Sequence, residues 1–136
     1  MDAEEILGLA AATREGSMPF PQIVGRLIGN GVEYYHVDFA TRSFTFYDAA
    51  GATLDAPLQL EGLPAIARDF DAAALRAAIL DSQQHGQKFP VFCQRAVEAG
   101  VQGYFAFLRG QRVTYLGRQG DQHVEWFPGA KRADAP

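Results

Sequence analysis

The chain has 136 residues, 48% hydrophobic and 21% charged, with a formal net charge of −4. This length suits one domain with a proper core, and the composition excludes a disordered chain; its 12 Lys and Arg residues are scattered, which disfavours wrapping of nucleic acid. A single cysteine excludes an internal disulfide and suits a reducing compartment, the acidic start Met1-Asp2-Ala3-Glu4-Glu5 is unlike a signal peptide, and no apolar run approaches the ~20 residues of a membrane span.

The first helix is announced by Asp2 as cap, with Glu5 in capping-box spacing. Its inward face reads Ile6, Leu9, Ala10 and Thr13, and Gly16 supplies a stop. A second helix opens at Pro21, in the first turn, where a missing N–H costs nothing. Ile23, Val24, Leu27 and Ile28 form its apolar side, and Gly31 ends it in a left-handed residue. Three strands follow, over about 32–39, 44–47 and 52–59. The turns between them, at 40–43 and 48–51, are short enough to demand antiparallel hairpins.

A linker over 60–70, with Gly62 and Pro64, leads to a second set of the same elements and has room for a helical turn. Asp71 caps a helix with inward residues Leu75, Ala78, Ile79 and Ser82, and Gly86 follows it. Pro90 opens the next helix, whose face is Phe92, Cys93, Ala96 and Val97, and Gly100 stops it. Strands are expected over about 101–108, 112–116 and 122–127, and a frayed tail over 129–136.

The two sets align without a gap at a spacing of 69 residues. Asp2-Ala3 returns as Asp71-Ala72, Phe20-Pro21 as Phe89-Pro90, Arg26 as Arg95, Gly31-Val32 as Gly100-Val101, Tyr35 as Tyr104, Thr45 as Thr114 and Gly51 as Gly120. The expected fold is therefore α+β in one domain: internally duplicated ααβββ units (about 2–59 and 71–128) related by a pseudo-two-fold axis. Four helices would lie on one face of an antiparallel sheet.

Three segments carry a family resemblance. The block from Phe89-Pro90 through Cys93 to Gly100-Val101 and Tyr104, the triplet His36-Val37-Asp38, and the closing His123-Val124-Glu125-Trp126-Phe127-Pro128 resemble the YdfO-like family of small bacterial and prophage proteins. The resemblance runs from about Asp2 to Pro128. It implies an α+β fold, and because the family is a domain of unknown function it brings no catalytic residue.

Candidate chemistry must then come from the residues themselves. Side chains two apart on a strand share a face, so His36 projects with Asp38 and His123 with Glu125. A His beside a carboxylate serves general bases and metal sites, and four such groups would make a small hydrolase- or lyase-like enzyme if the strands met. The same residues are equally what the solvent side of a one-sided sheet carries, and the repeat sets His36 and Asp38 against Phe105 and Phe107. Cys93 aligns with Val24 and reads as a core thiol. Gly25 and Gly29 lie within a helix pattern and form no phosphate loop. No cofactor or metal is implied.

The strand pattern is more informative. Tyr35, Val37 and Phe39, with Tyr104, Ala106 and Leu108, form one apolar face that suits the helices. The other face takes Val32, Tyr34, His36 and Asp38 in the first set and Val101, Gly103, Phe105 and Phe107 in the second, with Phe44, Phe46 and Tyr115 assigned to it from adjoining strands. A sheet apolar on both sides needs a second cover: the linker, a ligand or another subunit. The function expected is a non-enzymatic binding or interaction module in the cytoplasm. Its contact residues would be Tyr34, His36, Asp38, Phe105, His123, Glu125 and Trp126, with a small molecule, or a second copy on Phe105 and Phe107, as partner.

Overall fold

Helix and strand signals of the chain resolve, in a computed structural model describing residues 1–130, into the order ααβββααβββ. The expected frayed tail falls, from Lys131 onward, outside the described residues. The helices are α1 (Ala3–Glu15), α2 (Phe20–Gly29), α3 (Ala72–Gln84) and α4 (Phe89–Glu98). The strands are β1 (Val32–Asp38), β2 (Ser43–Asp48), β3 (Thr53–Pro57), β4 (Val101–Phe107), β5 (Arg112–Gly117) and β6 (Gln122–Trp126). No described helix is long and apolar enough to cross a membrane.

Helix ends follow their local chemistry. The Asp2 carboxylate accepts from the Glu5 N–H and Asp71 from the Ala74 N–H, the bonds that an N-cap supplies to orphan donors. Gly16 caps α1 with φ +67°, whereas α3 ends two residues before Gly86, with His85 as cap. Inward faces are nearly as expected: Ile6, Leu9 and Ala10 on α1, Leu75, Ala78 and Ile79 on α3, and all four expected residues of α4 are buried. Thr13 is only partly buried, because its hydroxyl turns back to donate to the Leu9 carbonyl at 2.9 Å. Ser82 also stops short of the core, its hydroxyl accepting from Gln87 Nε2 at 2.9 Å; on α2, Ile28 is 52% exposed.

All six strands form one antiparallel sheet in the order β3-β2-β1-β4-β5-β6. Its inner face contributes Tyr35, Val37, Phe44, Phe46, Ala56, Tyr104, Ala106, Val113 and Tyr115 to a single core cluster shared with the helices. The helices reach across the sheet: Phe89 of α4 stacks on Phe44 of β2 at 6.3 Å, and Phe20 of α2 meets Phe127, just past β6, edge-on at 5.5 Å. Residues from both ends of the chain thus share one core cluster.

Two expectations about the strands need correction. Phe44, Phe46 and Tyr115 lie in the core at 1%, 2% and 7% exposure, because β2 and β5 pair with β1 and β4 in a register that turns those residues toward the helices. Val32 and Val101 are likewise buried, on the side opposite Tyr34 and Phe105. The reason is a β-bulge near the start of each first strand. Val32 and Tyr34 face the consecutive residues Asp48 and Tyr47, and Val101 and Gly103 face Gly117 and Leu116, so Glu33 and Gln102 are extra residues that invert the alternation. The extra residues are not left unbonded: the Glu33 carbonyl accepts from the Leu108 N–H and that of Gln102 from the Phe39 N–H, each at 3.0 Å.

The linker forms no helical turn. It is a strap whose Leu60, Leu63, Ile66 and Phe70 pack on the core. Its backbone is tied to the end of α4, with the Ala67 N–H donating to Val97 O at 2.9 Å and the Asp71 N–H to Ala99 O at 2.8 Å. The strap joins the core on the helix side, so it is not the cover of the second sheet face.

Candidate functional site

Alternation places every second strand residue on the face away from the helices, and register aligns these residues into transverse rows. One row runs Tyr47, Tyr34, Phe107, Arg112, Trp126 from β2 to β6. The next runs Thr45, His36, Phe105, Thr114, Val124, and a third runs Ser43, Asp38, Gly103, Leu116, Gln122. Most of these side chains are half-exposed, and Val124 is 44% exposed.

The first row carries a flat group on each of five neighbouring strands. Tyr34 stacks on Tyr47 with centroids 4.5 Å apart and 10° between planes, and it leans on Phe107 at 5.8 Å. Phe107 in turn lies 5.7 Å from Phe105, with the ring planes nearly parallel. At the far end the Arg112 guanidinium sits 4.0 Å above the Trp126 ring, a cation–π contact that holds the indole in place. The His36 imidazole stacks on Phe105 at 4.3 Å and 12°. Burial moves its pKa down from the ordinary value, against the opposing pull of the Asp38 carboxylate, so the neutral ring is favoured.

Asp38 serves the backbone. Its Oδ1 accepts from the Ala40 and Thr41 N–H groups at 2.8 and 3.2 Å, shaping the β1–β2 turn. Gly103, opposite Asp38, is a gap in the third row: a Cβ there would lie 2.6 Å from the Val37 carbonyl oxygen and 3.3 Å from His36 Nε2. The close backbone approach demands glycine, and the imidazole edge occupies part of the gap.

His123 and Glu125 take the other side of the sheet. They pair with the core residues Tyr115 and Val113, and His123 Nε2 lies 3.1 Å from Glu125 Oε1. The pairing expected two residues apart on a strand is therefore formed. It is separated from His36 and Asp38 by the thickness of the sheet and by strands β4 and β5, and the four groups do not converge. Among the described residues, no three His, Cys, Asp or Glu side chains group as a metal site requires. Cys93 is fully buried, and burial pushes its thiol pKa up, which leaves no thiolate for chemistry.

Of the seven contact residues expected from sequence, the structure brings Tyr34, His36, Asp38, Phe105 and Trp126 onto one face and puts His123 and Glu125 on the other. It adds Tyr47, Arg112 and Gly103. Tyr47 was legible in principle, since it alternates with Phe44 and Phe46; assigning that pair outward concealed it. A family model described as "Protein of unknown function (DUF1398)" matches residues 10–125, from within α1 into β6. No curated protein matches the chain.

Proposed function

We propose that this chain, which belongs to the DUF1398 family of proteins of unknown function, is a binding module that works through the open face of its sheet. Membership agrees with the resemblance to YdfO-like proteins and assigns no activity. The observation that supports the reading is the row from Tyr47 to Trp126, half-exposed on five neighbouring strands, with Tyr47 stacked on Tyr34, Tyr34 leaning on Phe107 and Arg112 lying over Trp126. Burying it would contribute roughly 25 cal/mol per Å² of apolar area, and the rings are already held by one another, so little side-chain freedom is lost on contact. The enzymatic alternative would need its four His and carboxylate groups in one place, whereas the His36–Asp38 and His123–Glu125 pairs lie on opposite faces.

Trp126 is the only tryptophan and stands on this face, so it reports occupancy. An amphipathic aromatic fluorophore, bis-anilinonaphthalene sulfonate, titrated into dilute protein is expected to bind and quench Trp126. Tyr34→Glu should weaken that binding, whereas Ile28→Glu on the helix layer should not. Equal binding by wild type and Tyr34→Glu would refute the face as the contact surface.

A further inference from the structure

We infer that the occupant of this face is a second copy of the chain, packed sheet to sheet about a two-fold axis that runs across the strands along the middle row. The inference rests on the reading of the face as a contact surface and names what covers it.

The relief of the face carries the argument. Its first row is tall, with Tyr47, Tyr34, Phe107, Arg112 and Trp126; its third row is low over β2, β1 and β4, with Ser43, Asp38 and the gap at Gly103, and rises at Leu116 and Gln122 on β5 and β6. A two-fold axis along the middle row sets each strand over the same strand of the partner, with the rows exchanged. Phe107 then stands over the partner's Gly103, Tyr47 over the partner's Ser43, Arg112 over the partner's Leu116 and Trp126 over the partner's Gln122. Tyr34 faces the partner's Asp38, a phenol donor against a carboxylate acceptor. A two-fold axis parallel to the strands would instead press tall row on tall row and leave the low rows apart. Ridge against valley is the arrangement that lets two faces pack at interior density.

The area is also appropriate. Six strands about 4.8 Å apart and five to seven residues long make a face of roughly 29 by 20 Å, on the order of 600 Å² in projection. That is the scale of the ~800 Å² per partner in a standard stable interface. The middle row lies on the axis, so Thr114, half-exposed there, faces its own copy.

Sedimentation of the full chain tests the occupant. Wild type is expected to be a dimer at tens of micromolar, and both Phe107→Glu and Thr114→Arg are expected to be folded monomers, by unchanged circular dichroism. The axis is tested with Thr114→Cys and a bis-maleimide of about 10 Å reach, the spacing of packed sheets. Cys93 is buried and stays silent. Cross-linking of Thr114→Cys alone supports the transverse axis; cross-linking only in a mixture of Thr114→Cys and Thr45→Cys overturns it. A wild-type monomer at tens of micromolar, or a dimer indifferent to both charged substitutions, overturns the inference. The fluorophore separates the outcomes: if it still binds in a Tyr34-dependent way to a wild-type monomer, the contact surface stands and only the second copy is lost.

Discussion

Gly31 and Gly100 occupy matched places, each following a helix and preceding a bulged strand, with φ of +84° and +89°. An L side chain at such an angle costs about 1–2 kcal/mol, so alanine at either position should destabilise the protein by at least that. Their surroundings differ. A Cβ on Gly31 meets nothing within 4 Å, whereas one on Gly100 would run into the Asp69 carbonyl and come within 2.9 Å of Phe70 Cα. Those atoms belong to the strap, held in place by its bonds to Val97 and Ala99 of the same helix end. Backbone cannot swing away as a side chain does, so Gly100→Ala adds an overpacking cost of roughly 1–3 kcal/mol or more. Urea denaturation of the two variants, read from midpoints at constant slope, should separate them. With a slope near 2 kcal/mol/M, the Gly100→Ala midpoint should lie about 0.5–1.5 M below that of Gly31→Ala. Equal losses would show that the strap yields freely and that its two backbone bonds contribute little.

Cys93 should resist thiol reagents in the native protein and react stoichiometrically in urea, because it is fully buried with its thiol pKa pushed up; fast native labelling would revive a nucleophile. The α3–α4 junction should be sensitive to Arg95, whose Nη1 donates to Asp81 Oδ2 at 2.6 Å and Gln87 Oε1 at 2.7 Å, more than α1–α2 is to Arg26, which is more exposed and pairs with Glu5. Arg95→Ala should therefore lower the denaturation midpoint further than Arg26→Ala, and the reverse order would contradict the assignment. Hydrogen bonds from Arg95 first, and His85 second, hold the Asp81 carboxyl below the usual carboxylate range. A depressed pKa contributes stability above the unfolded value of 3.8 that is lost as pH falls through the folded one, so Asp81→Asn should flatten the fall in stability on acidification below about pH 4. An unchanged acid profile in that variant would mean the carboxyl is not held by these partners.

Helix starts and stops, hairpin turns and the α+β class are legible in the residues because each depends on atoms only a few positions apart. Asp2 and Asp71 cap helices wherever the chain goes next, and Gly31 and Gly100 reach positive φ for want of a Cβ. The burial of Cys93 is likewise visible in the spacing of apolar residues along α4. The sidedness of the strands is not. Counting by two carries an error the length of a strand, and the single extra residues Glu33 and Gln102 turn Val32 and Val101 inward without any local mark. His123 and Glu125 share a face by their spacing, but which face depends on pairing with Tyr115 and Val113, a relation between strands. The strap's course and the reach of Phe20 and Phe89 across the sheet are long-range in the same sense. Such contacts form only when distant segments compete for one core, and a linear pattern holds no record of that competition.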